Sequence, residues 1–247
     1  MGGASLYTGM AGLQAVEANM QATAANIANT QTTGYQSVQA LFEASPYTGS
    51  NAPGGADVVA LTPNPDTAPG GLQHTGDKLD VAVSGNAWLQ VQTTSGPALT
   101  RAGSLQINNA GILTDSGGNP VLNASGQAIS LPQLASIKIG ADGTISGVPA
   151  SQPGTPSQVY GQIGVFATPP GQLTPLSGTL FTAPAGVQVA LAPNGTLEQG
   201  YLNDSNVDPT QAMMAMIADN RSYQLQTNLM KSQSTGGQSL NTLMAQG

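Results

Sequence analysis

The sequence predicts an α+β protein: N- and C-terminal α-helices pairing as a coiled-coil-like region, with a central antiparallel β-rich domain. Three observations carry this. Apolar residues recur at alternating steps of four and three at both ends of the chain. Short alternating apolar runs separated by turn residues fill the middle. The chain of 247 residues has 32 Gly and 17 Pro but is only 4% aromatic, a composition of turns and thin β structure rather than of a deep aromatic core.

The first element is a helix over residues 5–29. Leu6, Met10, Leu13, Met20, Ala24 and Ile27 follow the seam spacing, interrupted at Glu17, where Val16 partly covers the turn. Ala11, Ala15, Ala18, Ala22, Ala25 and Ala28 raise its helix propensity. Gly9 and Gly12 lower it by about 1 kcal/mol each, and they allow a neighbouring backbone to approach closely. Gly34 suits the left-handed turn that ends the element. Residues 45–76 hold Pro46, Pro53, Pro63, Pro65 and Pro69 among Gly49, Gly54, Gly55, Gly70 and Gly71, which no helix survives. An extended strand-like arm or a mobile linker is expected there.

From residue 77 the pattern becomes β. Leu79, Val81 and Val83 alternate, a Gly85-Asn86 turn follows, and Trp88, Leu89 and Val91 continue it. Apolar pairs at Leu105/Ile107, Ile112-Leu113, Val121-Leu122, Ile129/Leu131 and Ile137/Ile139 come at short intervals. Asp142-Gly143 is a hairpin signal, and 147–158 reads as a loop. Val159–Phe166, Val187–Leu191 and Leu197–Tyr201 complete the set of expected strands. The last helix is expected from 208 to about 235. Asp208 is a good N-cap, Pro209 occupies N1, and Gln211 at N3 can close a capping box. Met213, Met216, Tyr223 and Met230 keep the seam spacing, and Gly236-Gly237 weakens the final turns. The expected division is 1–35 (helix), 36–76 (arm), 77–202 (β-rich domain) and 203–247 (helix).

Chemistry is sparse. Charged residues are 7% of the chain and the net charge is −7, with five Lys and Arg in total. Nucleic-acid binding is therefore not expected, because it needs a basic stripe. There is no cysteine for a disulfide or a thiolate metal site. The single His74 sits in the Gly/Pro-rich arm, with no Gly-x-Ser-x-Gly elbow, P-loop or dinucleotide fingerprint elsewhere. Asp77 and Asp80 read as a solvated strand edge and Asp115–Asn119 as a hairpin turn. Arg101 is either a solvated strand charge or part of a packing or interface ion pair. No catalytic residue, cofactor, metal or small-molecule substrate is expected. Met1–Met10 has neither a basic nor an apolar signal region.

Several motifs carry a resemblance. Ala25-Asn26-Ile27-Ala28-Asn29-Thr30, followed by Thr33-Gly34-Tyr35, is similar to the N-terminal signature of the flagellar rod and hook axial proteins. Gly200-Tyr201-Leu202, Ser205-Asn206-Val207-Asp208, Met216-Ile217, Arg221 and Tyr223 resemble the closing motif of the same family. Leu79–Val83, Trp88-Leu89-x-Val91, Thr100-Arg101-x-Gly103-Ser104 and Asp142–Ser146 resemble its β domain. Departures from the family pattern are Ala25, Gln36, Ala102, Leu105 and Gln224.

The resemblance implies a structural subunit of the flagellar basal body, closest to the proximal-rod branch with the distal-rod branch as competitor. It implies export through the flagellar type III apparatus without a cleaved signal peptide, assembly in the periplasm, and other rod subunits as partners. It places the assembly interface on Leu6, Met10, Leu13, Met20, Asn26, Ile27, Asn29, Gly34, Tyr35, Met213, Met216, Ile217, Arg221, Tyr223 and Met230. A secreted β-rich carbohydrate-active enzyme or adhesin would explain the Gly/Asn/Thr-rich strands but not the capped helices at both ends.

Overall fold

The computed structural model describes residues 2–46, 56–60, 63–169, 171–184, 186–187, 189–192 and 194–244. Pro53, Gly49, Gly54 and Gly55 of the expected arm lie outside the described residues, as do the side chains of Leu6, Leu240, Leu243 and Met244. The chain divides into two compact units.

The first unit comprises 1–28, 38–63 and 208–247. It contains helix α1, Gly2–Ala28, and helix α2, Pro209–Met244. Asp208 caps α2 as its residue type predicts: its Oδ1 accepts from the amides of Thr210 (2.8 Å) and Gln211 (3.2 Å). The helix runs through Gly236-Gly237 to Met244, beyond the end expected near 235. Two glycines lower propensity by about 2 kcal/mol together, a local bias that 36 continuous residues outweigh. Within the expected arm, Phe42–Pro46 and Ala56–Ala60 form an antiparallel hairpin, and its second strand lies alongside α1.

α1 and α2 run antiparallel, because positions rising along one meet positions falling along the other. A β-carbon on Gly9 would lie 3.4 Å from Met230 Cγ, and one on Gly12 would lie 3.3 Å from Gln226 Cδ. Further along, Asn19 and Thr23 both reach Asp219. The face that α1 turns to α2 is thus Gly9, Gly12, Asn19 and Thr23. It is displaced by one residue, about 100° around the axis, from the apolar series Met10, Leu13, Met20 and Ala24. Small residues win that face because they let the backbones approach.

The second unit comprises 29–37 and 64–207. Its largest sheet has six strands in the order Thr174–Ser177, Leu180–Thr182, Gly96–Thr100, Ala87–Thr93, Val165–Ala167 and Ala190–Leu191. Every pairing in it is antiparallel. A three-stranded antiparallel sheet follows, Leu134–Ile139, Thr144–Pro149 and Gln158–Gln162, turned at Asp142-Gly143 as expected.

Strand alternation gives the sheet two covered faces. Ala87, Leu89 and Val91 point into an aliphatic core with Val81, Val83, Leu113 and Ile145. Trp88, between them, points the other way into a cluster with Leu99, Phe166, Leu173 and Phe181. Trp88 and Phe181 meet edge to face at 5.5 Å. From the expected arm, Leu72–His74 pairs antiparallel with Tyr201–Asn203; beyond it, Val81–Val83 pairs antiparallel with Leu197–Gln199.

Candidate functional site

No metal-ligand cluster of three or more His, Cys, Asp or Glu occurs among the described residues. What the signature motifs build is a network of side-chain amides that act as backbone mimics. A carboxamide offers one donor and one acceptor side by side, so it can close a strand-like pair with a single residue. Asn26 does this to Val38 in the helical unit: Oδ1 accepts from its N–H and Nδ2 donates to its carbonyl, both at 2.9 Å. Asn203 does it to Val83 in the β unit, at 2.8 and 3.2 Å. Asn206 accepts from Ser37 N at 2.6 Å and donates to the carbonyls of Asp66 and Ala68, each at 3.0 Å.

The segment that follows α1 in sequence is built into the β unit. Thr32 closes a turn on Asn29, by backbone at 3.1 Å and by side chain at 3.0 Å. Gly34 has φ 72° and donates its N–H to Asn203 O at 2.7 Å. A β-carbon there would collide with the Arg101-Ala102 backbone, so the position requires glycine on two counts. Tyr35 is buried, and its hydroxyl hydrogen-bonds the Asn29 side chain. Burial raises the Tyr35 pKa above its usual 10, and the Asn29 contact opposes that shift.

Arg101 is not a solvated strand charge; it is packed inside the β unit, with carbonyl and amide oxygens as its hydrogen-bond acceptors. It is fully buried, with Nε on Ala87 O (3.2 Å), Nη2 on Gly85 O (2.8 Å) and Nη1 on Gln36 Oε1 (3.4 Å). Its guanidinium stacks 4.4 Å from the Trp88 ring centroid. Burial lowers its pKa from the usual 12.5 to about 10, and the charge of Asp66 partly offsets that. Gln36 supplies the acceptor that a second cation could not. Gly103 completes the motif: a β-carbon there would overlap the Val81 carbonyl, and the Val81 N–H donates to Gly103 O at 2.9 Å.

The predicted interface residues fall into three groups. Asn26, Asn29, Gly34 and Tyr35 are engaged within the chain by the bonds above. Leu13, Met20, Ile27, Met216 and Met230 are half-buried, while Met10, Met213, Ile217, Arg221 and Tyr223 are exposed. The helix backbone passes through Leu6, whose side chain lies outside the described residues. On α2, Met213, Met214, Ile217, Leu225 and Leu229 are all between 55% and 68% exposed. The face of α2 turned to α1 instead carries Ala212, Met216, Asp219, Gln226 and Met230. Asn203, Thr23 and Asp219 were not singled out by sequence. Asp219 had one signal: it stands seven residues after Ala212 and three after Met216, an acid on an otherwise uncharged helical stripe.

Comparison with known proteins bears directly on these motifs. Residues 6–36 match the family described as flagella basal body rod protein. Residues 82–147 match the flagellar hook protein FlgE/F/G D1 domain, and 198–243 match the flagellar basal body rod FlgEFG protein C-terminal family. The chain is 34% identical to the flagellar basal-body rod protein FlgF of Escherichia coli K12, over 92% of this chain and 93% of that one. The chain belongs to the flagellar basal-body rod protein family. It is also similar to FlgF of Salmonella typhimurium, at 35% identity over 92% of this chain and 93% of the relative. With FlgG of Bacillus subtilis it shares 32% identity over 89% of this chain and 91% of the relative. The rod-family chain is a structural protein, not an enzyme, and the carbohydrate-active alternative is set aside on that ground.

Proposed function

We propose that this chain is an axial subunit of the flagellar rod that transmits torque, built into its proximal segment beside other rod subunits in the periplasm. It reaches that place through the flagellar type III export apparatus without a cleaved signal peptide. The terminal helices form a coiled-coil-like seam and pack on the helices of neighbouring subunits, while the β unit forms the outer layer. The interface on α2 is Met213, Ile217, Arg221 and Tyr223, widened by Leu225 and Leu229.

One observation supports this most. α2 turns Ala212, Met216, Asp219, Gln226 and Met230 to α1 and leaves Met213, Met214, Ile217, Leu225 and Leu229 exposed. An apolar stripe of that size on a soluble chain marks a surface that another element covers. The low charge density suits such burial, since few charges have to be desolvated.

The test is Ile217→Lys with Leu225→Lys in the full chain. Both positions are exposed, so the isolated protein should unfold within about 0.5 kcal/mol of wild type. In a host lacking the native protein, the variant should fail to restore motility and its basal bodies should lack a completed rod. Normal motility from this variant would sink the proposal. Gold labelling of purified basal bodies decides proximal against distal placement.

A further inference from the structure

We infer that Asp219 is the register-determining residue of the terminal helix pair. It selects, as the partner for this face of α2, a helix that presents hydrogen-bond donors four residues apart. Asp219 is 9% exposed, and each carboxylate oxygen has one donor from α1: Asn19 Nδ2 to Oδ1 at 2.9 Å, and Thr23 Oγ1 to Oδ2 at 3.0 Å. Positions 19 and 23 are one turn apart on one face, so the two donors reach a single side chain on the opposing helix.

The other contacts on this seam constrain the alignment through space rather than through paired polar groups. Gly9 and Gly12 have no side chain, and Met230 is flexible enough to repack after a slip. Asp219 is different, because a buried carboxylate that loses its donors is strongly destabilising. A slip of one turn would set Ala15 or Ile27 in place of one donor. A slip of seven residues toward the α1 C-terminus would offer Asn26 and Thr30, but the Asn26 amide is already engaged with both polar groups of Val38 and Thr30 lies beyond the end of α1 at Ala28. The opposite slip would offer Gly12 and Val16, which donate nothing. One alignment satisfies the carboxylate, and the alternatives are penalised rather than merely unrewarded. The inference concerns pairing within one chain and does not depend on the rod reading.

The chain has no cysteine, so introduced pairs report register without background. Gly9→Cys with Met230→Cys reads the native alignment, and Gly9→Cys with Gln226→Cys reads a slip of one turn. Each pair is oxidised at equilibrium in the full chain, and the intramolecular disulfide is quantified on the monomer band. With Asp219 present, the native pair should form at least about tenfold more than the slipped pair. In an Asn19→Ala, Thr23→Val, Asp219→Leu background, which removes the charge together with its donors, the two pairs should form to within about twofold.

Far-UV circular dichroism should show the helices retained in that triple background, and Asp219→Leu alone serves as the second background. Asn19→Ala with Thr23→Val, which strands the carboxylate, should lower the helical melting midpoint below that of the triple variant. A tenfold preference for the native pair that persists in both Asp219→Leu backgrounds would overturn the inference. So would a donor-only variant that melts with wild type.

Discussion

The β unit and the helical unit differ in where they put their large apolar side chains. In the β unit Trp88, Phe181, Leu89, Leu99, Leu113 and Ile145 are fully buried, on both faces of the six-stranded sheet. In the helical unit the described contact between α1 and α2 sets Gly9, Gly12, Asn19 and Thr23 against Met230, Gln226 and Asp219, while Met213, Met214, Ile217, Tyr223, Leu225 and Leu229 of α2 are exposed. The first arrangement is complete in a single chain. The second leaves large apolar side chains exposed among the described residues, as the packing on neighbouring subunits proposed above requires.

The largest effect expected from this contrast is on truncation. Removing 2–28 or 209–244 should abolish motility in a complementation assay. The β unit should still unfold cooperatively, as followed by the near-UV signal of Trp88. The cut must spare 29–37, because Gly34, Tyr35 and Gln36 are part of the β unit. A truncation at residue 35 should lower the melting midpoint of the remaining unit, and equal midpoints for the two cuts would remove the distinction drawn here between α1 and the segment after it.

Next in size is Arg101→Ala. It leaves the carbonyls of Ala87 and Gly85 and the Gln36 amide oxygen without their donor, and it opens a void beside Trp88. Loss of about 3 kcal/mol or more in denaturant titration is expected. Arg101→Met keeps the volume and removes the buried charge, so it should be the milder change. Asn26→Ala should cost less, about 1–3 kcal/mol, since it strands only the N–H and carbonyl of Val38. That loss should appear in the helical signal of the chain and not in the Trp88 signal.

Much of the architecture was legible because its signals are local. Asp208-Pro209 marks a helix start whatever lies beyond it, and alternation at Leu79–Val83 and Trp88–Val91 marks strands from sequence alone. The strands Thr174–Ser177 and Leu180–Thr182 were not legible: Pro175 sits in the first, and each is too short to show a period. The hairpin Phe42–Pro46 with Ala56–Ala60 was hidden because its pairing is non-local and proline-flanked.

At the site, the motif positions were legible as a resemblance but their roles were not. Asn26, Asn29 and Tyr35 read as surface contacts in a sequence, because nothing local reveals that Val38 or a buried turn takes up their polar groups. Arg101 was ambiguous for the same reason. Its three acceptors come from residues 14 to 65 positions away, a distance over which no periodicity survives.

The smallest effect lies within the β unit and concerns Tyr35. Its pKa in the folded chain lies above the usual 10, chiefly because burial penalises the phenolate. A group with a raised folded pKa stabilises the fold fully below its unfolded pKa, and that contribution is lost as the pH rises from about 10 through the folded value. Arg101 acts in the opposite sense. Burial lowers its pKa to about 10, so there it is the charged form that burial penalises. Tyr35→Phe should therefore be slightly less stable than wild type at pH 9, by about 1 kcal/mol for the lost Asn29 contact. The gap should close as the pH is raised toward 11, because only the wild type carries the alkaline loss at this position. Urea titrations of the two proteins at pH 9, 10 and 11, read by the Trp88 signal, measure the convergence. Parallel curves across that range would mean that Tyr35 is not held in its protonated form by the β unit.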